Sequence, residues 1–272
     1  MADRVIMRRR IRRVEGAVSR PAVDTLAAEE PLEIRVGGEP VAVTMRTPGS
    51  DFELAAGFCL TEGLIAEPGD IVGIRYCAGT DPVTGLQTYN VVDLALRGGG
   101  TVAMDLRRNV YTTSSCGICG STSIDAIQRS YDDIDDELRV TADVLVGLPD
   151  RMREAQRVFD RTGGLHAAAR FDAAGDLLDL REDVGRHNAV DKVVGHAALS
   201  GALPLSGQVL MVSGRVAFEI VQKALRARIP VIAAVSAPTS LAVEAASRTS
   251  MTLVGFVRGD RMNIYCGAER IV

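Results

Sequence analysis

The sequence predicts an α/β fold with a smaller β-rich N-terminal portion, and three observations carry that prediction. From Leu165 onward, short apolar runs alternate with stretches of helical periodicity, a βαβαβ order that implies a parallel sheet covered by helices. Between Pro31 and Thr47, apolar and polar residues alternate with the period of two that strands require. Hydrophobic residues make up 47% and charged residues 24% of 272, a globular balance that can bury a core without disulfide staples.

Taken in order, residues 1–20 read as a flexible basic lead, because Arg8, Arg9, Arg10, Arg12 and Arg13 crowd together there. Its plain reading is a solvated tail; the other is contact with an acidic partner. No apolar h-region follows the arginines, so no export signal is expected. Residues 21–110 form the β-rich portion. Leu32, Ile34 and Val36, then Gly37-Gly38, then Val41, Val43 and Met45 spell a hairpin. Ser50-Asp51-Phe52-Glu53 has the form of a capping box opening a helix to about Leu64. Further strands follow over 69–96, broken by Asp81-Pro82 and Thr84-Gly85, with Gly98-Gly99-Gly100 as a loop.

Residues 111–147 hold a Cys-x-x-Cys loop, a short helix over 124–130 and an acidic linker over 132–137. Residues 148–272 are the α/β part. A helix is expected over 148–160 with Pro149 in its first turn. Strands are expected over 165–171 and 177–181, then 209–212, 231–235 and 251–257. Helices are expected between them over 188–199, 216–228 and 241–247.

Composition excludes several functions. A net charge of −4 argues against a general nucleic-acid binder. No apolar run reaches the length of a membrane span. Five cysteines, an odd number with no secretory signal before them, fit a reducing cytoplasm.

The sharpest motif is Ser114-Ser115-Cys116-Gly117-Ile118-Cys119-Gly120. Two thiols at this spacing can exchange a disulfide, relay a group or share a metal. Zinc needs two further ligands. Cys59, Cys77 and Cys266 stand alone in apolar segments and read as small hydrophobes. Only His166 and His187 of the three histidines fall near a motif. The surroundings favour a reactive thiolate: Gly117 and Gly120 permit close approach, and Thr122 and Asp125 fit the cap of a following helix, whose dipole lowers a thiol pKa.

Ligands of open α/β sheets bind beyond the carboxyl ends of the strands. Here those ends are Ser213-Gly214-Arg215, Ser236-Ala237-Pro238-Thr239-Ser240 and Arg258-Gly259-Asp260-Arg261. The first two lead into helices, so hydroxyls, backbone N–H groups and helix N-termini meet there, as phosphate requires. Arg215, Arg258 and Arg261 add bidentate donors. Each loop alone reads as ordinary capping; three at one edge predict an anionic ligand, a nucleotide. Glu182-Asp183-Val184-Gly185-Arg186-His187-Asn188, between a strand and a helix, reads either as helix capping with a salt bridge or as a ligand edge.

These motifs resemble the formate dehydrogenase accessory sulfurtransferases, the FdhD family. The resemblance rests on Ser115–Gly120, Thr162-Gly163-Gly164-Leu165-His166-Ala167-Ala168-Ala169, Glu182–Lys192 and Ser213-Gly214-Arg215, with Glu53–Phe58 and Thr61-Glu62-Gly63 before them. It runs in order from about residue 20 to the C-terminus. It implies a cytidine deaminase-like three-layer domain with a mostly parallel sheet, in a cytoplasmic homodimer. It implies that sulfur comes from a cysteine desulfurase and goes to the molybdenum (or tungsten) bis-guanine dinucleotide cofactor, before that cofactor enters formate dehydrogenase. It places the persulfide on Cys116, with Cys119 resolving or relaying it. It places the cofactor segment on Phe256, Val257, Arg258, Gly259, Asp260 and Arg261. No tightly bound zinc, nucleic acid or membrane is expected.

Two rival readings use the same residues. A zinc deaminase needs His-x-Glu and then Pro-Cys-x-x-Cys. His166 is followed by Ala167 and Ala168, and the cysteine pair precedes the histidine, so that chemistry lacks its acid/base. A catalytically inert chaperone would keep the nucleotide loops and not need Cys116.

Overall fold

The computed structural model describes residues 4–77, 79–80, 85, 87–99 and 133–272. The C-terminal half is built on a six-stranded sheet. Its strands are β7 (His166–Phe171), β8 (Leu177–Asp183), β9 (Val209–Val212), β10 (Val231–Ala234), β11 (Thr252–Arg258) and β12 (Arg261–Cys266), in the order β12-β11-β10-β9-β7-β8. The helices are α2 (Ala142–Ala155), α3 (Arg157–Thr162), α4 (Arg186–Leu199), α5 (Phe218–Arg226) and α6 (Ser240–Arg248), with α1 (Asp51–Thr61) in the N-terminal half.

The expectation of a mostly parallel sheet is corrected. Only β9, β10 and β11 pair in parallel; β8 runs the same way but is separated from them by β7, which is antiparallel to both neighbours, and β12 is antiparallel to β11. Connection length is the reason. α5 and α6 each make the long crossover that a parallel pair needs, whereas the short turns at 172–176 and 259–260 can only reverse the chain. Every residue of β9 and β10 is buried, because helices cover both faces. Leu210, Val212, Ile232, Ala234 and Leu253 meet α4, α5 and α6 on one side. Val209, Met211, Val231 and Ala233 meet Leu145, Leu148 and Met152 of α2 on the other. The result is three layers.

The N-terminal half has a four-stranded sheet of β3 (Glu30–Val36), β4 (Glu39–Arg46), β5 (Ile71–Tyr76) and β6 (Val91–Leu96), in the order β4-β3-β6-β5. α1 closes it by burying Leu54, Ala55 and Cys59 against Leu32, Ile34, Val92 and Leu94. The opposite side of α1 lies on α4. There Gly57 and Gly195 bring two backbones together: a Cβ on Gly57 would sit 1.8 Å from the Asp191 carbonyl oxygen, and one on Gly195 1.8 Å from that of Glu53. Charged groups fill the rest of the seam. The Lys223 ammonium donates to Asp191 (3.0 Å), Thr61 (3.0 Å) and Glu62 (2.8 Å), and Thr61 donates to Asp191 (2.7 Å). Burial works against the Lys223 charge, but the Asp191 and Glu62 carboxylates beside it outweigh burial and raise its pKa. Arg181 grips Glu53 with two hydrogen bonds, at 2.6 and 2.8 Å.

The expected hairpin about Gly37-Gly38 is present as β3 and β4. Other segments differ. The stretch read as a flexible lead folds as a hairpin of β1 (Ile6–Glu15) and β2 (Val18–Ala27). The capping box at Ser50 is absent: Ser50 is left-handed at φ 55 and its side chain does not cap, while Asp51 turns inward to Arg46 (3.1 Å) and the Tyr76 hydroxyl (3.0 Å). α2 starts earlier than expected because Thr141 caps it, accepting from the Val144 N–H at 3.2 Å. Pro149 therefore lies inside the helix, and the chain breaks at Gln156. The acidic linker is only half solvated, since Ile134, Leu138 and Val140 are buried and Asp136 accepts from Leu138 and Gly207, both at 2.8 Å. β12 was not expected, although Met262, Ile264 and Cys266 alternate. The helix expected over 124–130 lies outside the described residues. Among the described residues no helix is long and apolar enough to cross a membrane.

The glycine seam yields a stability prediction. Gly57→Ala and Gly195→Ala should each destabilise the fold by about 3 kcal/mol or more, because backbone must move. Gly147→Ala, inside α2 with open space around it, should stabilise by about 0.5–1 kcal/mol. Urea unfolding of the three variants checks both signs.

Candidate functional site

The antiparallel placement of β7 decides what the site contains. It brings the first residue of β7, His166, to the edge where β9, β10 and β11 end, and Asp183 at the end of β8 lies opposite His166. Segments 163–166, 182–188, 213–217 and 236–240 thereby gather on one edge, with 256–261 at its far end.

Many polar groups along this edge are committed to structure. Glu182 accepts from the N–H groups of Val158 (2.9 Å) and Phe159 (2.7 Å), so it caps α3. Asp183 accepts from Thr47 N–H (3.1 Å), Gly185 N–H (2.8 Å) and Asn188 Nδ2 (3.0 Å), and pairs with Lys192 Nζ at 2.7 Å. Capping with a salt bridge is thus what Glu182, Asp183, Asn188 and Lys192 do. Arg186 and His187 lie in the first turn of α4, and Arg186 Nε is buried without a hydrogen-bond partner among the described residues.

The strand-end loops are laced together. Ser213 exchanges two hydrogen bonds with Ala167: its N–H donates at 3.0 Å and its Oγ accepts at 2.9 Å. Gly214 threads between two site side chains, since a Cβ there would lie 3.3 Å from His166 Nδ1 and 3.6 Å from Arg186 Cβ. Val216 donates to Ala237 at 3.1 Å and accepts from Thr239 at 2.9 Å, joining the first two loops. Thr239 caps α6, accepting from Ala242 N–H at 3.4 Å. In the third loop, Phe256 N–H donates to Ser236 at 3.1 Å and Arg258 Nε to Val235 at 3.1 Å. Phe256, Arg258, Gly259, Asp260, Arg261 and Arg215 are exposed. Val257 is fully buried in the core, so it offers no surface to a ligand.

A cleft of about 620 Å³ opens beside this edge, between α2–α3 and the strand ends. Arg153, Phe159, Gly164, His166, Ser213 and Val235 line it, and the Arg153 guanidinium lies 4.7 Å from the centre of the Phe159 ring. The sequence puts Arg153 and Phe159 on a helix over 148–160, but periodicity does not show that the helix faces the strand ends. Arg258 and Arg261 do not line the cleft; they sit beyond it on β11 and β12. Burial lowers the pKa of half-buried His166, the Arg186 charge lowers it further, and Asp183 opposes both. Cys59 is buried and Cys266 half-buried, and burial pushes both thiols up, as small hydrophobes rather than nucleophiles. Cys116 and Cys119 lie outside the described residues.

The sequence profile of the FdhD/NarQ family matches residues 27–272. The chain belongs to the FdhD/NarQ family. Its relatives include the Sulfur carrier protein FdhD of Streptomyces coelicolor, 59% identical over 98% of this chain and 96% of that protein. The Sulfur carrier protein FdhD of Mycobacterium tuberculosis is 53% identical over 97% of each. A chain from Desulfotalea psychrophila, whose crystal structure was described as that of a formate dehydrogenase accessory protein, superposes with a TM-score of 0.78. It is 21% identical and covers 98% of this chain and 100% of its own, so it supports the fold. Most of the β1–β2 hairpin precedes the FdhD/NarQ match.

The histidine gives a second prediction. His166 should titrate below the ordinary value of about 6.5, and its midpoint should rise in Arg186→Gln. The folded protein binds this proton less tightly than the unfolded chain does. His166 therefore costs no stability above about pH 6.5 and reduces stability as pH falls below it. NMR titration of the His166 ring reads the midpoint; a value above 6.5 would contradict the burial argument.

Proposed function

We propose that the chain carries sulfur as a persulfide on Cys116 and passes it to the molybdenum bis-guanine dinucleotide cofactor, held as substrate along the edge described above. The observation that carries this reading is the gathering of 163–166, 182–188 and 213–215 on one sheet edge beside a cleft, in a chain of a sulfur carrier family. In this reading the donor is a cysteine desulfurase, the recipient is formate dehydrogenase, and the work is done by a cytoplasmic homodimer. The three-layer part is read as cytidine deaminase-like, without deaminase chemistry, because Ala167 and Ala168 follow His166 where an acid/base glutamate is needed.

The chemistry balances with the two cysteines. The Cys116 thiolate attacks the outer sulfur of a donor persulfide; that S–S bond breaks and the donor leaves as a thiolate. Delivery follows when the Cys119 thiolate attacks Cys116 Sγ. A Cys116–Cys119 disulfide forms and hydrosulfide leaves, so the two thiols supply both electrons and the metal need not be oxidised. External thiol then restores the pair.

On the cofactor, phosphates suit the Ser213-Gly214-Arg215 loop and the nucleotide suits Phe256 to Arg261. Charge alone does not choose guanine over adenine; hydrogen bonds to the base edge must.

Incubation with a desulfurase and cysteine should add about one sulfur mass to the Cys116 peptide, removable by reductant. Cys116→Ala should abolish delivery and keep the fold; full formate dehydrogenase activity with that variant would favour an inert chaperone. GDP should bind in calorimetry, and Arg215→Ala or Arg258→Ala should each weaken it about tenfold, the loss of one charge-assisted hydrogen bond. Equal binding to wild type and both variants would move the ligand site elsewhere.

A further inference from the structure

The β1–β2 hairpin belongs to neither large sheet. Its register runs without a slip from Ile6 opposite Ala27 to Glu15 opposite Val18, which fixes the side chains on each face. Arg8, Arg10 and Arg12 share one face with Thr25, Val23 and Pro21. Arg9, Arg13 and Glu15 share the other with Asp24, Arg20 and Val18.

The two faces differ in charge. On the second, Arg20 pairs with Glu15 at 3.0 Å, Arg13 lies 3.8 Å from Asp24, and Arg9 stands directly across from Asp24. The first face has no Asp or Glu. Arg12 donates to Ser19 Oγ at 3.1 Å, which steadies the guanidinium without neutralising it. Arg8, Arg10 and Arg12 are all exposed, and among the described residues no carboxylate pairs with them. Alternate strand residues place them about 7 Å apart in a row. Val14 and Val23 beside them are 65% and 60% exposed. The hairpin rises from the rim of the cleft: a Cβ on Gly164, a cleft residue, would touch the Ala27 side chain at 3.7 Å.

We propose that the Arg8-Arg10-Arg12 face is a docking surface for an acidic strip on the protein that exchanges sulfur with this chain; the exchange itself rests on the function proposed above. Carboxylates on alternate residues of an extended segment repeat at the same spacing of about 7 Å. The exposed valines suit apolar side chains between them. Single-stranded nucleic acid fits less well, since residues 4–28 contain no Phe, Tyr or Trp on which bases could stack. The chain as a whole is acidic, at −4, so a local cationic row both attracts an acidic partner and orients it toward the cleft.

The test is fluorescence anisotropy of the full chain with a labelled peptide of alternating glutamate and threonine. Wild type should bind it at low salt and release it as salt rises. The triple variant Arg8→Thr, Arg10→Thr, Arg12→Thr should lose about tenfold in affinity, whereas Arg9→Thr, Arg13→Thr, Arg20→Thr should lose less than about threefold. No binding by wild type at low salt, equal loss in both triple variants, or tighter binding of an oligothymidylate of equal charge would each overturn the proposal. Persulfide loading of Cys116 from a small-molecule persulfide needs no docking and should be unchanged in the first variant. Failure of that loading in wild type would count against the sulfur-carrier reading and leave the peptide result to judge the surface.

Discussion

The contact between Gly57 and Gly195 is the constraint on which the rest of the molecule depends. Two helices whose backbones touch cannot slide or splay without emptying the seam, and interiors packed to crystal density resist that. α1 is committed on its other side to the N-terminal core, and α4 is committed to the six-stranded sheet. The seam therefore welds two halves with separate sheets into one body. It also orients the site, because the first turn of α4 supplies Arg186 and His187, and the buried Asp191–Lys223 pair lies one turn below. Breaking such a pair is expensive once both charges are dry, so the ions reinforce the register that the glycines permit.

A second level of organisation lies in how carboxylates are used. Glu182 and Asp183 stand on the edge where the anionic ligand is proposed to bind, which would be unfavourable if they faced it. Instead both are turned into hydrogen bonds with backbone N–H groups and Lys192. The exposed charges contributed by the strand-end loops at 213–215 and 258–261 are mainly arginine. The polar segment is dense because it supports the edge, and few of its members are available to a ligand.

The sequence was most informative where chain-local physics decides the outcome. β9 needed only Val209-Leu210-Met211-Val212, a run with no polar residue, and the Gly37-Gly38 turn needed only its two glycines. It failed where a distant partner overrides a local signal. Ser50 and Glu53 have the spacing of a capping box, but Arg181 and His196 take Glu53, and Arg46 takes Asp51. The arginines of β1 read as a solvated tail because the apolar members of its pairs, such as Ile11 and Ala22, are few and widely spaced. At the site, the three strand-end loops were correctly read as neighbours. The cleft was not legible, since its far wall depends on how α2 packs on the sheet and on Glu182 capping α3 from a distant strand, neither of which periodicity reveals.

That capping contact bears on how the cleft behaves as a moving part. α3 carries Phe159, one wall, and two of its N–H groups hang on the single carboxylate of Glu182, whose strand is fixed in the sheet. Hydrogen bonds to a charged acceptor are worth about 1.5 kcal/mol or more each, so swinging α3 outward sacrifices about 3 kcal/mol. At that cost the jaw stands open in fewer than about one molecule in a hundred at rest. Anything wider than the existing mouth would then enter only when something else binds the Glu182 carboxylate in place of α3.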